Sequence, residues 1–202
     1  MKILLTAFDP FGGERVNAAM TAVAALPEQV GDWQVHKQIV PTVFAAAGDV
    51  VTAALAKLRP DAVFCIGQAA GRGAVTPERV AINCMDARIA DNTGFQPDEQ
   101  PVIAGAPAAY FSTLPVKALT AAIREAGVPA EVSNSAGTFV CNALYYRVLH
   151  FAAQEQPRLG ACFLHVPAMP EQVADGAPCM TTEQTVRAIE AAILAIPQHM
   201  EY

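Results

Sequence analysis

The sequence contains little positive charge and lacks the motifs that most often bind metal ions. Its 202 residues include 13 Lys and Arg against 19 Asp and Glu, which gives a net charge of −6. A chain with this balance lacks the basic surface on which nucleic-acid binding depends. Its four histidines, one of them His199 in the C-terminal tail, form no HxxxH motif, and its five cysteines form no CxxC pair. The sequence therefore predicts neither a nucleic-acid partner nor a zinc site.

No apolar run is long enough to cross a membrane, because charged residues or prolines interrupt the alanine-rich stretches. The apolar start, Met1–Asp9, is short and has no small-residue cleavage site, so we interpret it as a first strand and not as a signal peptide. An odd number of cysteines in such a chain indicates free thiols and a cytoplasmic location. The low charged fraction, 16%, is a weak indication that other subunits cover part of the surface.

Apolar segments typical of buried strands alternate with segments of helical periodicity. A hydrophobic fraction of 53% over 202 residues suffices for one folded domain, which we place at residues 1–202. The predicted strands are Lys2–Phe8, Val35–Val40, Ala62–Gly67, Ala130–Ser133 and Gly160–Val166. The predicted helices are Ala18–Leu26, Phe44–Leu58, Pro115–Ala126, Cys141–Ala152 and Thr182–Ile196. The alternation predicts an α/β fold in which a mainly parallel, twisted sheet carries helices on both faces, a phosphorylase- or hydrolase-like architecture.

The stretch between residues 67 and 107 interrupts this alternation. Val80–Ile89 alternates weakly and is a candidate for an additional strand. Asp91–Pro107 is rich in Asp, Pro, Gly and Gln, and this composition predicts a long loop of the kind that is often functional. Ser112 or Thr113 is a candidate N-cap for the helix that follows.

Cys141 follows a turn that contains Ser, Gly and Thr, at the point where a predicted strand gives way to a helix. Backbone N–H groups and the helix dipole at such a position favour a thiolate over a thiol. His165 stands near the carboxyl end of a later predicted strand, and the carboxyl ends of parallel strands share one edge of the sheet. The pattern indicates a cysteine nucleophile with a histidine base. Its alternative is a buried core cysteine, which is a common residue.

A carboxylate that orients the base would complete such a site. Glu78 ends a Gly-rich segment that follows a predicted strand. Its rivals are Asp9, Asp86 and Asp91. His150, on a predicted helix, is a weaker rival of His165. The sequence pattern by itself does not choose among the acids.

Several motifs stand together in an order that is typical of one family. They are Phe8–Gly13, Gly67-Gln68, Gly71-Arg72, Pro77–Asn83, Asp86–Ile89 and Ser133–Asn142. In this order they resemble the pyroglutamyl peptidase type I family, the pyrrolidone-carboxylate peptidases, and the resemblance continues to at least Gln172. It implies a cytoplasmic cysteine peptidase, often a homotetramer and without metal or other cofactor, that removes N-terminal pyroglutamate from peptides.

The same resemblance implies roles for individual residues. Cys141 is then the nucleophile, His165 the general base and acid, and Glu78 the orienting carboxylate. The residues that match positions around the lactam ring are Phe8, Phe11, Thr42, Gln68, Ile89, Phe139 and Val140. Arg88 is a candidate for stabilising the oxyanion. A neutral lactam needs apolar walls and a few amide partners, with no salt-bridging Arg, and these residue types suit it.

Two other classes of protein are compatible with the α/β pattern. A nucleoside-phosphorylase-like enzyme needs an anion site for phosphate, yet the Gly-rich runs Phe8–Gly13 and Gly67–Gly73 fit neither GxGxxG nor the P-loop motif. A binding module without catalysis would carry a Cys141 thiol of ordinary reactivity.

Overall fold

Strands and helices alternate along the chain. The structure, a computed structural model, describes residues 1–196, so His199 and the other residues of 197–202 lie outside the described part. The strands are β1 (Lys2–Phe8), β2 (Gln29–Val30), β3 (Trp33–Val40), β4 (Ala62–Gln68), β5 (Thr76–Glu78), β6 (Val80–Ile82), β7 (Ala109–Phe111) and β8 (Gly160–Val166). The helices are α1 (Ala18–Ala25), α2 (Phe44–Leu58), α3 (Val116–Glu125), α4 (Val140–Glu155) and α5 (Thr182–Leu194), with a 3₁₀ turn at Pro170–Gln172.

Most strands of residues 1–196 join one sheet, in the order β2-β3-β1-β4-β8-β5. β3, β1, β4 and β8 are parallel, whereas the edge strands β2 and β5 are antiparallel to their neighbours. β6 and β7 form a separate antiparallel ribbon. The predicted α/β fold with a mainly parallel sheet is therefore confirmed.

Helices cover both faces of this sheet. Ile3 and Leu5 of β1 join an apolar cluster with α1, α3 and α5, whereas Leu4 joins a second cluster with α2 and α4. β4 and β8 are buried along almost their whole length, as their continuous apolar sequences predict. Each Leu, Ile or Phe side chain buried in these clusters stabilises the fold by about 1.5–3 kcal/mol. No helix within residues 1–196 is long and apolar enough to span a membrane.

The predicted strand Ala130–Ser133 is wrong, because this segment makes only isolated bridges, to Val75 and to Glu78. It runs parallel to that stretch, and backbone hydrogen bonds lie on either side of the gap. Between the bridges the parallel pattern needs an N–H from residue 77. That residue is Pro77, which has none, so the ladder cannot continue.

The region between β4 and α3 also departs from the sequence pattern. Of Val80–Ile89 only Val80–Ile82 is a strand, and it pairs with β7, which the pattern does not predict. β5 is not predicted either, because it contains Pro77, and proline is confined to sheet edges such as this one.

Ser112 and Thr113 do not cap α3, so that prediction is wrong. Their hydroxyl groups donate to the carbonyl oxygens of Ala161 and Leu159, which ties the segment before α3 to β8. Pro115 occupies the N-cap position without a side-chain hydrogen bond.

Asp91 anchors the segment Asp91–Pro107, which is irregular as predicted. Its Oδ2 accepts a hydrogen bond of 3.0 Å from the N–H of Phe44, the first residue of α2. Its Oδ1 accepts bonds from the backbone N–H groups of Thr93 and Phe95 at 2.8 and 3.0 Å. One buried carboxylate thus closes the start of the loop and satisfies an unpaired donor at a helix N-terminus.

We expect Asp91→Ala to lower the free energy of unfolding by about 1–3 kcal/mol at neutral pH, because buried N–H groups lose their acceptor. Burial acts to raise the pKa of Asp91, but the bonds from Thr93, Phe44 and Phe95 outweigh it and lower the pKa below 3.8. The stabilisation by Asp91 is therefore fully present above pH 3.8 and is lost as the pH falls through the lowered pKa. Urea unfolding across pH measures it. Asp98→Ala, at an exposed position, is the control, and equal stabilities for the two variants would contradict the assignment.

Candidate active site

The first turn of α4 carries Cys141. The helix begins at Val140, and Phe139 holds the N-cap position in extended conformation without a side-chain hydrogen bond. The turn before it needs Gly137, whose φ of 78° lies in the left-handed region. Cys141 is therefore placed at a helix N-terminus, as its sequence context predicts, with unpaired backbone N–H groups around it.

Gly67 brings this thiol to the carboxyl ends of β4 and β8. A Cβ atom at Gly67 would lie 3.1 Å from the Cys141 Sγ and 2.8 Å from the ring of Phe163. In the parallel pairing of β4 with β8, the partner of Gly67 is His165. The absence of a side chain at Gly67 thus leaves the space in which the sulfur lies beside the strand pair that holds the imidazole.

His165 and Glu78 form a buried hydrogen bond of 2.8 Å between Nδ1 and Oε1. The antiparallel pairing of β5 with β8 sets Glu78 opposite Phe163, two residues before His165. Glu78 is fully buried and the His165 side chain is 6% exposed. With Nδ1 engaged, Nε2 is the ring nitrogen left to exchange a proton with a thiol.

Burial acts to raise the pKa of the Glu78 carboxyl, but the hydrogen bond and the charge of His165 outweigh it, with help from Ser133 and Arg72. The resulting pKa lies below its ordinary value, so Glu78 is ionised at neutral pH. For His165, burial lowers the pKa below 6.5, although Glu78 acts in the opposite direction. The imidazole is therefore neutral at pH 7 and able to accept a proton.

Burial, followed by the Glu78 charge, raises the pKa of the Cys141 thiol to about 12, although Arg72 and a backbone N–H act to lower it. Cys141 keeps partial exposure as a residue, yet the protein packed around its sulfur decides the balance. Burial therefore opposes the thiolate that the helix N-terminus favours, and with this pKa the thiol keeps its proton at pH 7. The resting pair is a neutral thiol and a neutral imidazole.

A cleft of about 640 Å³ adjoins the N-terminus of α4. Its lining includes the predicted residues Phe11, Arg88, Ile89 and Phe139, together with Asp86, Ala136, Gly137 and Thr138. The Phe11 and Phe139 rings lie 6.1 Å apart, and Phe44 supports Phe139 edge-on at 5.3 Å. Ile89 is 49% exposed. The cleft therefore has the apolar walls that the sequence predicts for the ring.

The other predicted pocket residues serve packing and hydrogen bonding around it. Phe8 is buried and packs against Phe163. The Gln68 Oε1 accepts from the N–H of Ala18, at the start of α1. Thr42 and Val140 are buried, and the N–H of Thr42 donates to the Asp9 Oδ1. Contact of these side chains with a ligand stays a prediction.

The rivals of Glu78 and His165 have other partners. Asp9 and Asp91 bind loop backbone, as described above, and Asp86 is exposed on the cleft. His150 Nδ1 is hydrogen-bonded to the Tyr110 hydroxyl at 2.9 Å. Within residues 1–196, no group of three His, Cys, Asp or Glu side chains is arranged to hold a metal ion.

Two residues that the sequence reasoning missed hold the site together. The Asn142 side chain bonds to the N–H and carbonyl of Ile82 and to the carbonyl of Cys84, all at 2.9 Å, which ties β6 and the chain after it to α4. Arg72 donates from Nη1 to the Glu78 Oε1 at 2.8 Å. A signal for Arg72 was present, because a buried Glu needs a charged partner and Gly71-Arg72 lies within a matched motif.

Comparison with known sequences gives matches over almost the whole chain. The family model described as pyroglutamyl peptidase matches residues 1–199. A pyrrolidone-carboxylate peptidase of Levilactobacillus brevis is 51% identical over 198 residues, which are 97% of this chain and 97% of its own. A pyrrolidone-carboxylate peptidase of Streptococcus pyogenes is 52% identical over 198 residues, which are 97% of this chain and 92% of its own.

Solved structures agree with the fold. The crystal structure of pyroglutamyl peptidase I from Bacillus amyloliquefaciens superposes with a TM-score of 0.95 at 42% identity, covering 99% of this chain and 98% of that one. The pyrrolidone carboxyl peptidase of Thermococcus litoralis gives a TM-score of 0.92 at 37% identity, covering 96% and 92%. The chain therefore belongs to the pyroglutamyl peptidase family.

Proposed function

We propose that this chain is a cysteine peptidase that removes N-terminal pyroglutamate from peptides through an acyl-enzyme. One observation carries the proposal. The Cys141 Sγ lies at a helix N-terminus beside Gly67, and Gly67 is the strand partner of His165. The His165 ring is in turn hydrogen-bonded to Glu78. Family membership and the names of the relatives support the substrate class. They argue against the phosphorylase-like and non-catalytic alternatives.

The first half-reaction forms a thioester. His165 Nε2 takes the proton of Cys141 as Sγ attacks the pyroglutamyl carbonyl carbon, and the resulting imidazolium is stabilised by the Glu78 carboxylate. The proton then passes to the amine nitrogen of the peptide, the C–N bond breaks, and the shortened peptide leaves. Because the resting thiol is protonated, attack and proton transfer belong to the same event.

The second half-reaction uses the same groups in reverse. His165 takes a proton from water, the hydroxide attacks the thioester carbon, and the C–S bond breaks to release free pyroglutamate. The proton returns to the sulfur of Cys141. The backbone N–H of Cys141 stabilises the oxyanion that forms in each half-reaction, and Arg88, which lines the cleft, is the candidate for a second donor.

The pocket selects a neutral five-membered lactam. Phe11, Ile89 and Phe139 face the cleft and suit the ring methylenes. Buried Phe8, Thr42 and Val140 and half-buried Gln68 supply packing and amide groups for the ring N–H and carbonyl. Polar groups that would bind the lactam carbonyl stay unpaired against proline, so proline is rejected.

We also propose that the enzyme is cytoplasmic, works without a cofactor and assembles as a homotetramer. The low charged fraction of 16% and the exposed side chains of Phe111 and Leu194, 69% and 62% exposed, support contacts between copies. Free cysteines such as exposed Cys179 suit a reducing compartment.

Replacement of the nucleophile tests the proposal. We expect Cys141→Ser to lower the hydrolysis rate of a pyroglutamyl anilide by roughly a thousandfold or more, because the hydroxyl is a far weaker nucleophile. Cys179→Ser, at an exposed position, should keep wild-type activity. Turnover by Cys141→Ser at the wild-type rate would refute the assignment of the nucleophile.

The pH dependence tests the base and its carboxylate. Because the pKa of His165 is lowered, kcat/KM should rise with pH through a midpoint below 6.5. Glu78→Gln removes the anion that raises the imidazole pKa, so the midpoint should move still lower. The rate should fall by roughly two to four orders of magnitude, because the tautomer is no longer held. An unchanged profile and rate in Glu78→Gln would count against its role.

Gly67 offers a matched pair of glycine substitutions. Gly67→Ala places a methyl group against Phe163 and the Cys141 Sγ, so kcat/KM should fall by roughly ten- to a hundredfold as the sulfur is displaced. At Gly73 a Cβ meets only Pro178, at 3.5 Å, so Gly73→Ala should stay near wild type. Equal kinetics of the two folded variants would show that the space beside Sγ is not needed.

A further inference from the structure

Arg72 reaches the buried carboxylate from outside the sheet. It lies in the loop that follows β4, its side chain is 32% exposed, and its Nη1 contacts the Glu78 Oε1 at 2.8 Å. The same oxygen accepts the His165 Nδ1 at 2.8 Å. Nη1 is also hydrogen-bonded to the hydroxyl of Thr76, a buried residue of β5.

The Glu78 carboxylate depends on these contacts. Among the hydrogen bonds of residues 1–196, its Oε2 has no partner although it is buried. Both charge-assisted bonds therefore converge on Oε1. A buried carboxylate without adequate partners takes up a proton, and a protonated Glu78 would bind Nδ1–H more weakly and would no longer stabilise an imidazolium.

We propose that Arg72 is a positioning residue for catalysis: by binding Glu78 Oε1 it keeps this carboxylate ionised and oriented, so that His165 stays in the tautomer whose Nε2 accepts the thiol proton. In this role Arg72 acts through Glu78 and does not need to touch the reacting atoms. The inference rests on the proposed roles of Cys141, His165 and Glu78.

The charges around the imidazole give this role a distinct signature. The groups concerned are Glu78 from β5, Arg72 from the β4–β5 loop, and the Cys141 thiol from α4 beside Gly67. Glu78 raises the pKa of His165 and Arg72 lowers it. Removing the Arg72 charge should therefore favour an added proton on the Glu78–His165 pair. Whether that proton rests on the carboxylate or on the imidazole, the base is lost at a pH where the wild type is active.

The test compares Arg72→Met, which keeps the side-chain length but not the charge, with Arg72→Lys and with the control Arg79→Met. The Arg79 guanidinium binds Asn134 at 2.8 Å and stands on the same stretch of chain. We expect Arg72→Met to lower kcat/KM roughly tenfold or more, as loss of a group that orients a ligand does at metal sites. The acidic midpoint of its pH profile should move upward. Arg72→Lys should restore most of both, and Arg79→Met should resemble wild type.

Combination with Glu78→Gln separates action through Glu78 from a general structural effect. If Arg72 acts through this carboxylate, Arg72→Met should cost less than about twofold in the Glu78→Gln background, because coupled residues are non-additive. A full, additive loss in that background, or no upward movement of the midpoint in Arg72→Met, overturns the inference. Circular dichroism checks folding, and Arg72→Gln gives the same comparison should Arg72→Met unfold.

The same set of variants distinguishes failure of the proposed catalytic roles from failure of the role proposed for Arg72. If Glu78→Gln alone retains wild-type kcat/KM, the proposed catalytic roles and the role of Arg72 fail together. If Glu78→Gln is impaired while Arg72→Met matches wild type, the catalytic roles stand and only the role of Arg72 is refuted.

Discussion

The buried hydrogen bond between the Glu78 carboxylate and the His165 imidazole is the interaction on which the rest of the site depends. Removing an ionised carboxylate from water costs several kcal/mol, and only well-placed partners offset that cost. The fold supplies them by adding β5 antiparallel to β8 at the edge of an otherwise parallel sheet. Arg72 completes the set from solvent. A carboxylate held in this way binds Nδ1 of the imidazole, and in the proposed mechanism Nε2 then serves Cys141.

The structure alters the picture of the nucleophile. Its position at the start of α4 suggests a thiolate, but burial opposes charge on the sulfur more strongly than the helix N-terminus and Arg72 favour it. In the proposed mechanism the proton therefore leaves the thiol as the bond to carbon forms, and His165 acts as a base in both half-reactions. Burial, which lowers the pKa of His165, supplies the neutral imidazole that this mechanism needs.

The sequence predicts those parts of the fold and the site that depend on neighbouring residues along the chain. Continuous apolar runs located the buried strands, and the helix at Phe44–Leu58 has the predicted bounds. The predicted strand Ala130–Ser133 is wrong because its pairing depends on Pro77, a residue of another segment that has no N–H. The local sequence does not show which segment will lie beside it. At the site, motif order indicated Cys141, His165 and Glu78. The sequence did not assign Arg72 to the site, because its role depends on which acid the fold buries.

In the proposed mechanism Cys141 carries the acyl group during turnover. Wild-type enzyme mixed with excess pyroglutamyl ester, quenched in acid during steady state and digested, should show the mass of one pyroglutamyl group on the peptide that contains Cys141. The thioester should disappear when substrate is exhausted. Turnover with no such adduct, or with the adduct on the peptide of another cysteine, would contradict an acyl-enzyme on Cys141.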